Sequence, residues 1–310
     1  MPIIPRLLDV PVSWTWLDGV ASRASDVVKN VLPQPVKDVL HGTVLGHPLH
    51  PVLVQVPVGT WSSAVVLDVL ATLTPGRTGD GLDRASAALV VTGLAGAVPA
   101  IAAGWADYAD LHEEQRRIAL VHAAANAAAS TAFALSVVAR GRGRTARARA
   151  LDLLGMSLAG GGAALGGHLS YRWAAGANHT EAVPHVTPRG WYPVARFAEL
   201  APGKPVGAKV GDTGVLVVRR GDDVFALADV CSHLAGPLHE GEVVEEGGRP
   251  CIVCPWHQSA FALDSGDVVH GPASSPQPVF DTRVVDGDVQ VRVRELPGVP
   301  AAEPVEGSVA

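Results

Sequence analysis

Charged residues and cysteine are both scarce in this chain of 310 residues. Asp, Glu, Lys and Arg together make up 17% of the sequence, and the formal net charge is −6. A chain with this charge lacks the basic surface that binds a phosphate backbone, so we expect no nucleic-acid partner. Three cysteines allow at most one disulfide within the chain. The length is typical of two domains.

The apolar residues are concentrated in the first half of the chain. The mean hydropathy of +0.24 is high for a soluble protein with this charge. Four long apolar runs, of which the first carries one charge at Asp68, cover residues 53–74, 85–106, 118–139 and 153–171. Each run is close to the roughly 20 residues that a helix needs to cross the hydrocarbon core. A soluble bundle would keep a polar face on each helix, so the pattern predicts a four-helix transmembrane bundle in contact with membrane lipid.

Residues Cys231 to His257 carry two pairs of potential metal ligands. They read C-S-H-L-A-G-P-L, then a Gly- and acid-rich connection, then C-P-W-H-Q-S-A-F. Thiolate together with imidazole suits zinc or an iron–sulfur centre, and not a hard cation that prefers oxygen. A Cys2His2 zinc site is one interpretation, but zinc fingers place their two cysteines on one arm and their two histidines on another. Here each loop holds one cysteine and one histidine.

This pattern resembles the Rieske iron–sulfur domain over residues 191–293. In a Rieske [2Fe–2S] centre two Cys hold one iron and two His hold the other. The resemblance implies that these ligands are Cys231, His233, Cys254 and His257, on two loops of a small all-β domain. Further matches flank the ligands and begin a later loop, namely Gly236, Pro237, Pro255 and Gly271-Pro272. Alternating apolar residues predict two hairpins in this domain, with turns at Gly221-Asp222 and Asp286-Gly287.

Departures from the family pattern bear on the reduction potential. High-potential members have an extra Cys in each loop, and the resemblance places those positions at Gly236 and Trp256, so no disulfide braces the site. Ser259 matches a family hydroxyl that donates towards a cluster sulfur, whereas Phe261 stands where a second donor, a Tyr, would be. Because donors to the sulfurs stabilise the reduced state, we expect a potential in the lower or middle part of the range from roughly −150 to +300 mV.

Cys251 is the remaining cysteine. Its Cys-x2-Cys spacing to Cys254 would by itself suggest redox or zinc chemistry. The surrounding residues, R-P-C-I-V-C, instead predict a buried strand that leads into the second loop. With Cys231 and Cys254 as ligands, no disulfide can form from what remains.

A second resemblance lies before the first apolar run. Residues 46–51 read G-H-P-L-H-P, and residues 40–173 resemble an uncharacterised family of bacterial membrane domains with a G-H-P-x-H-P signature. An up-and-down path puts His50 and His122 at one membrane face, where ionisable residues are functional candidates. Three interpretations stay open: a b-type haem held by histidines of different helices, a quinone pocket in which a histidine handles the proton, and a structural role.

The arginine-rich loop between the third and fourth apolar runs indicates how the protein is oriented in the membrane. Residues 140–149 read R-G-R-G-R-T-A-R-A-R, and cytoplasmic loops carry the excess of Lys and Arg. The chain is then a multi-pass protein of the cell membrane, and its four spans leave the Rieske domain on the outer side. A cytoplasmic Rieske domain is the alternative, because iron–sulfur clusters are normally inserted there and the loop has no adjacent Arg-Arg pair of an export signal.

The remaining segments complete the organisation. Residues 1–46 are amphipathic, and Trp14 and Trp16 suit a membrane interface, which predicts a helix on the lipid surface or packed on the bundle. The expected divisions are an N-terminal segment at 1–46, a membrane domain at 47–173, a linker at 174–189, a Rieske domain at 190–294 and a disordered tail at 295–310.

These features predict a multi-domain protein, an all-α four-helix transmembrane bundle followed by a small all-β iron–sulfur domain. We expect one-electron transfer through a [2Fe–2S] cluster, to or from a quinone, a haem or a ferredoxin-type partner, as a component of an oxidoreductase. A redox sensor or assembly module is the alternative. A Rieske oxygenase would add a large mononuclear-iron domain, for which too few residues follow Val293. A third possibility is that the protein is one component of a Rieske oxygenase system. No pattern indicates an oligomeric state.

Overall fold

The computed structural model describes residues 3–74 and 76–294, so the predicted tail at 295–310 lies outside the described residues. The chain divides into two compact units. Within the described ranges, the helical unit contains residues 3–33, 48–74 and 76–175, and the β unit contains residues 34–47 and 176–294. The expected division after residue 46 therefore differs from the structure, in which residues 34–47 group with the β unit.

Nine α-helices lie in the described residues. They are α1 (Ile3–Asp9), α2 (Asp18–Val31), α3 (Gln34–His41), α4 (His50–Leu53), α5 (Gln55–Leu73), α6 (Arg77–Ala109), α7 (Glu113–Gly141), α8 (Thr145–Arg172) and α9 (Val183–Val186). The four long helices correspond to the four apolar runs, with α5 packed on α6 and α7 packed on α8. The predicted class, a helical bundle followed by an all-β domain, is confirmed.

Three helical stretches in the described residues are long and apolar enough to cross a membrane: His50–Leu73, Arg77–Ala109 and Glu113–Gly141. The helix α8 is 28 residues long but is not among them. Glycine adds little hydropathy, and a Gly-Gly-Gly run at residues 160–162 occupies the middle of α8. A fourth span therefore stays a prediction.

A buried arginine neutralises the charge that the first apolar run carries. Nη2 of Arg140 donates to both carboxylate oxygens of Asp68 at 2.8 Å and to Ser86 Oγ at 3.0 Å. The same guanidinium contacts Asp152 and, at 3.3 Å, Asp83. Arg140 opens the arginine-rich stretch of the sequence, yet its side chain is 8% exposed. The ion pairs explain how these charges are accommodated among apolar helices.

Within the helical unit, the N-terminal helix α2 packs on the long helices α6 and α7. Tyr108 Oη donates to the carbonyl of Ala21 at 3.0 Å, and Ser25 Oγ donates to the carbonyl of Ala109 at 2.7 Å. Asp18, at the start of α2, accepts two hydrogen bonds from the Arg117 guanidinium. Of the two expectations for this amphipathic segment, packing on the bundle is therefore the one seen for α2.

Ten strands form two antiparallel sheets in the β unit. They are β1 (Tyr192–Arg196), β2 (Val206–Val210), β3 (Thr213–Arg220), β4 (Asp223–Ala228), β5 (Glu242–Glu246), β6 (Arg249–Val253), β7 (Ala260–Ala262), β8 (Val268–His270), β9 (Val279–Val285) and β10 (Asp288–Val293). The strand orders are β1-β10-β9-β4-β3-β2 and β5-β6-β7-β8. Both predicted hairpins are confirmed, because β3 pairs with β4 about Gly221-Asp222 and β9 pairs with β10 about Asp286-Gly287.

Strand β3 is buried on both faces and separates two apolar cores. Because side chains alternate along a strand, Val215 and Val217 enter one core while Leu216 and Val218 enter the other. The second core also includes Leu238, Ile252, Phe261 and the two cysteines Cys231 and Cys254. The candidate metal ligands are thus anchored in the interior of the β unit.

Replacing Arg140 tests the buried ion network. Arg140→Ala leaves the carboxylates of Asp68 and Asp152 buried without their counter-ion, and removing one partner of a buried pair typically costs about 3–5 kcal/mol. We expect a marked fall in the unfolding temperature in detergent, followed by far-UV circular dichroism. The matched control is Arg142→Ala, because Arg142 is exposed and such substitutions usually change stability by no more than about 0.5 kcal/mol. Equal melting temperatures for the two variants would contradict the assignment.

Candidate metal centre

The four predicted ligands come together as a cysteine pair and a histidine pair. Cys231 lies shortly after β4, and Cys254 directly follows β6. The two thiols are hydrogen-bonded to each other and each cysteine is 1% exposed. The rings of His233 and His257 lie with their centroids 5.0 Å apart and nearly perpendicular, at 86°. His257 is half-buried and His233 is 9% exposed, so both histidines lie nearer to solvent than the cysteines.

The two thiols alter each other's protonation. Their mutual hydrogen bond raises the pKa of Cys231, and burial raises it further. The same hydrogen bond lowers the pKa of Cys254 to about 7, which burial partly opposes. Backbone N–H groups of the residues after each cysteine also favour the thiolates. Thiolate is the form that binds a metal, so these amides suit a bound metal centre.

The first ligand loop is closed by its own backbone. The N–H of Ala235 donates to the carbonyl of Cys231 at 2.9 Å, and the N–H of Cys231 donates to the carbonyl of Gly236 at 2.8 Å. Ala235 has a φ of 62°, a left-handed conformation that is uncommon for a residue with a Cβ. Non-glycine residues in this region often mark functional sites.

The second ligand loop has the same construction. The N–H of Gln258 donates to the carbonyl of Cys254 at 3.1 Å, and the N–H of Cys254 donates to the carbonyl of Ser259 at 2.8 Å. Gln258, like its counterpart four residues after the first cysteine, is left-handed, with a φ of 63°. Two loops of different sequence therefore present Cys and His from one shared backbone arrangement.

Gly236 allows the two loops to meet. A Cβ at this position would lie 2.9 Å from Sγ of Cys254 and 3.1 Å from the ring of Trp256. The sequence predicted that Gly236 and Trp256 replace the two extra cysteines of high-potential members, and the structure brings these two positions into contact. The exposed indole of Trp256 therefore occupies the side of the site that a disulfide would brace.

Ser259 and Phe261 differ in the hydrogen bonds that they can offer. Ser259 is fully buried, and its Oγ accepts the N–H of Ala273 at 2.9 Å. That bond uses a lone pair and leaves the hydroxyl proton to donate to another acceptor. Phe261 is fully buried opposite Ile252 and has no polar atom to donate.

Gln277 is a supporting residue that no sequence pattern predicted. Its Oε1 accepts the N–H of Ser232, between Cys231 and His233, at 2.8 Å. Its Nε2 donates to the carbonyls of Ala228 and Val230 at 2.9 and 2.8 Å. An isolated glutamine in a Pro- and Ser-rich stretch carries no periodic signal, yet this side chain fixes the first ligand loop.

Residues 34–47 hold the later Pro-rich loop of the β unit. The carboxylate of Asp38 accepts hydrogen bonds from Nδ1 of His270 and from the N–H of Gly271, both at 2.9 Å. His41 is 2% exposed, and a Cβ at Gly271 would lie 3.1 Å from its ring. Because of these contacts, residues 34–47 group with the β unit and not with the rest of the amphipathic N-terminal segment.

The second predicted pair, His50 and His122, also comes together. The centroids of the two rings lie 6.2 Å apart inside the helical unit. Both histidines are half-buried. Each ring therefore has a specific partner, and the haem, quinone and structural interpretations stay predictions.

The donor set of the β unit fits a two-iron cluster. The described residues offer one pair of thiols, Cys231 with Cys254, and one pair of imidazoles, His233 with His257. A single structural zinc takes four such ligands around one ion, whereas each iron of a Rieske cluster takes one pair. Separate pairs of thiols and imidazoles, with the thiols buried, therefore suit the cluster.

Comparison with known proteins shows which family the β unit resembles. Residues 190–284 match the Rieske [2Fe-2S] domain family. The chain is 36% identical over 103 residues to the ferredoxin subunit of anthranilate 1,2-dioxygenase from Burkholderia cepacia, which covers 33% of this chain and 92% of that subunit. The chain belongs to the Rieske [2Fe–2S] family. Its Rieske domain binds a [2Fe–2S] cluster, as the ligand spacing predicted.

The chain is also similar to two further ferredoxins. Ferredoxin CarAc from Metapseudomonas resinovorans is 32% identical to this Rieske protein over 103 residues, covering 33% of this chain and 92% of the ferredoxin. The ferredoxin of carbazole 1,9a-dioxygenase from Nocardioides aromaticivorans IC177 is 31% identical and covers 34% of this chain and 98% of its own, with a TM-score of 0.31. Residues 46–179 match the predicted membrane protein family DUF2231, which confirms the second resemblance.

Gly236→Ala tests the close approach of the two loops. The added methyl would press on Sγ of Cys254 and on the indole of Trp256, so we expect most of the bound iron to be lost. Iron content per chain and visible absorption measure the loss. Gly160→Ala is the matched control, because a Cβ there meets nothing within 4 Å. Full iron content in Gly236→Ala would contradict the geometry.

Substitutions at Ser259 and Phe261 test tuning of the potential. Ser259→Ala removes a donor and should lower the midpoint potential, while Phe261→Tyr adds a hydroxyl and should raise it. A hydrogen bond of about 1 kcal/mol corresponds to roughly 40 mV for one electron. Redox titration followed by absorption checks both signs. A Ser259→Ala variant that keeps its cluster at the wild-type potential would refute the donor role.

Proposed function

We propose that this Rieske protein is a membrane-anchored carrier of single electrons. The observation that carries the proposal is the convergence of a buried cysteine pair and a more exposed histidine pair on two loops of one β unit. Membership of the Rieske family, and similarity to proteins named as ferredoxins, support electron transfer as the activity. The protein then acts as an electron-transfer component of an oxidoreductase.

The cysteines and the histidines bind different irons of the cluster. We assign Cys231 and Cys254, as thiolates, to the inner iron, and His233 and His257, as neutral imidazoles, to the outer iron. When bound, the cluster supplies a centre that gains or loses one electron at a time. The buried thiolates exclude water from the inner side, and the backbone amides around them offset part of their negative charge.

The histidines give the site its contact with a redox partner. Each ligating imidazole keeps a second ring nitrogen, whose N–H can donate to a partner or release its proton as the charge of the site changes. Trp256, which is 48% exposed, lies beside His257 with ring centroids 6.4 Å apart. An exposed indole next to a ligand suits docking of a quinone, a haem protein or a ferredoxin-type protein.

The helical unit anchors the carrier in the lipid bilayer. Three helical stretches in the part of the chain that the structure describes are long and apolar enough to cross a membrane, and the match to a predicted membrane protein family agrees with this role. The arginine-rich sequence between α7 and α8 favours a cytoplasmic position for that loop. With α8 as a fourth span, the Rieske domain then lies on the outer side of the cell membrane.

Ligand substitutions test the assignment of the four residues. Cys231→Ser, Cys254→Ser, His233→Ala and His257→Ala should each abolish the visible absorption of the cluster and reduce the iron content to background. Cys251→Ala is the matched control, because Cys251 is equally buried, in β6, and is not one of the four assigned ligands. The control should keep two irons per chain, as a [2Fe–2S] cluster requires.

Two outcomes would overturn the proposal. One is a His233→Ala or His257→Ala protein that still holds a full cluster with wild-type spectra. The other is a loaded, reduced wild-type protein that is not re-oxidised in stopped-flow mixing by a soluble quinone analogue, by a cytochrome or by an oxidised ferredoxin. Re-oxidation by one class and not by the others would identify the partner class.

A further inference from the structure

The histidines of the helical unit occupy a site that electron transfer in the β unit does not use. His50 opens α4, and His122 lies in α7. Their ring centroids lie 6.2 Å apart with an interplanar angle of 77°. Polar side chains among membrane helices are expensive to bury and are commonly kept for a function. Two imidazoles from different helices that meet edge to face therefore need an explanation.

Each imidazole is held in one tautomer by a backbone carbonyl. Nδ1 of His50 lies 2.8 Å from the carbonyl oxygen of Ala100 in α6, and Nδ1 of His122 lies 2.7 Å from the carbonyl oxygen of Gly162 in α8. A carbonyl only accepts, so the proton is on Nδ1 in both rings. In the neutral imidazole this leaves Nε2 with an in-plane lone pair. Nδ2 of Asn126 lies 3.4 Å from both ring nitrogens of His122, so it contacts the face of that ring and not the lone pair. The same bond to a carbonyl orients most histidines that ligate metals.

The neighbouring helices are shaped to receive the two rings. A Cβ at Gly104 would lie 2.9 Å from Nδ1 of His50, and a Cβ at Gly166 would lie 3.0 Å from Cε1 of His122. Glycine on the opposing helix thus leaves the space that each imidazole fills. Four helical elements contribute to the site, since α4 and α7 supply the rings while α6 and α8 supply the carbonyls and the glycines.

The spacing of the rings matches ligation from opposite sides of one metal ion. With metal–nitrogen bonds of about 2.0–2.1 Å, two imidazoles bound in trans have ring centres roughly 6 Å apart. Imidazole nitrogen suits zinc, copper, nickel and iron, and histidine is an axial ligand of haem iron. In the residues that the structure describes, no third His, Cys, Asp or Glu completes a metal site here. A porphyrin supplies four further nitrogen ligands to an iron that two histidines hold in this way.

We propose that His50 and His122 ligate, through their Nε2 atoms, a transition-metal centre within the helical unit, either haem iron or a bare ion. Such a site gives the helical unit a cofactor of its own, beyond the cluster of the Rieske domain. This proposal does not rest on the proposed electron-carrier function. The two sites lie in separate units of the chain, and the loading of each can be measured separately.

Metal and haem reconstitution of the purified full-length protein tests the site. The protein is titrated in detergent with hemin, with Zn²⁺ and with Cu⁺, and total metal is compared with the two irons of the cluster. Saturation by one hemin with a sharp Soret band indicates haem iron, and one tightly bound Zn²⁺ or Cu⁺ without hemin binding indicates a bare ion. His50→Ala and His122→Ala should each weaken this binding by at least about tenfold.

Matched variants separate ligation from folding. His185→Ala is the control, because His185 is an exposed histidine on the short helix α9 and should bind like the wild type. His50→Gly opens a cavity that added imidazole can fill, so imidazole should restore binding if the ring is a ligand. Absence of hemin, Zn²⁺ and Cu⁺ binding by the wild type would overturn the proposal. Unchanged binding in both alanine variants, or a loss in His50→Gly that imidazole does not restore, would do the same.

Discussion

The close approach of two ligand loops is the constraint on which the β unit depends. Two thiolates and two imidazoles must face one centre, so the loops have to touch where Gly236 meets Cys254. Both loops reach this arrangement through a left-handed residue, Ala235 in one and Gln258 in the other, which stores local backbone strain. The apolar core beneath the cysteines and the buried amide of Gln277 hold the loops in place, as a preorganised site requires.

The helical unit has the opposite problem, because it must keep polar groups among apolar helices. Polar and charged groups in such surroundings need partners within the protein. Arg140 meets this need by pairing with the carboxylates of Asp68 and Asp152. His50 and His122 meet it by donating to backbone carbonyls of neighbouring helices. Small residues allow both solutions, since glycine on a facing helix makes room for a side chain.

The sequence predicts features that depend on local spacing. The ligand loops follow from Cys and His at short fixed intervals, and the hairpins follow from turn residues between alternating strands. Contacts between distant residues leave no such pattern. Asp38 binds His270 across 232 positions, and no local pattern reveals this contact, so residues 1–46 are predicted as one amphipathic N-terminal segment. Arg140 was counted with a basic loop because charge in a sequence does not reveal that a side chain folds back among helices.

The most direct test of this account is the low-temperature EPR spectrum of the purified, dithionite-reduced protein, with iron and zinc measured in the same sample. The account predicts two irons per chain and a one-electron signal whose mean g value lies below the free-electron value, as mixed Cys and His ligation produces. Stoichiometric zinc without iron would contradict it. A signal typical of ligation by four cysteines would contradict it as well, because the chain would then bind iron through residues other than the two histidines.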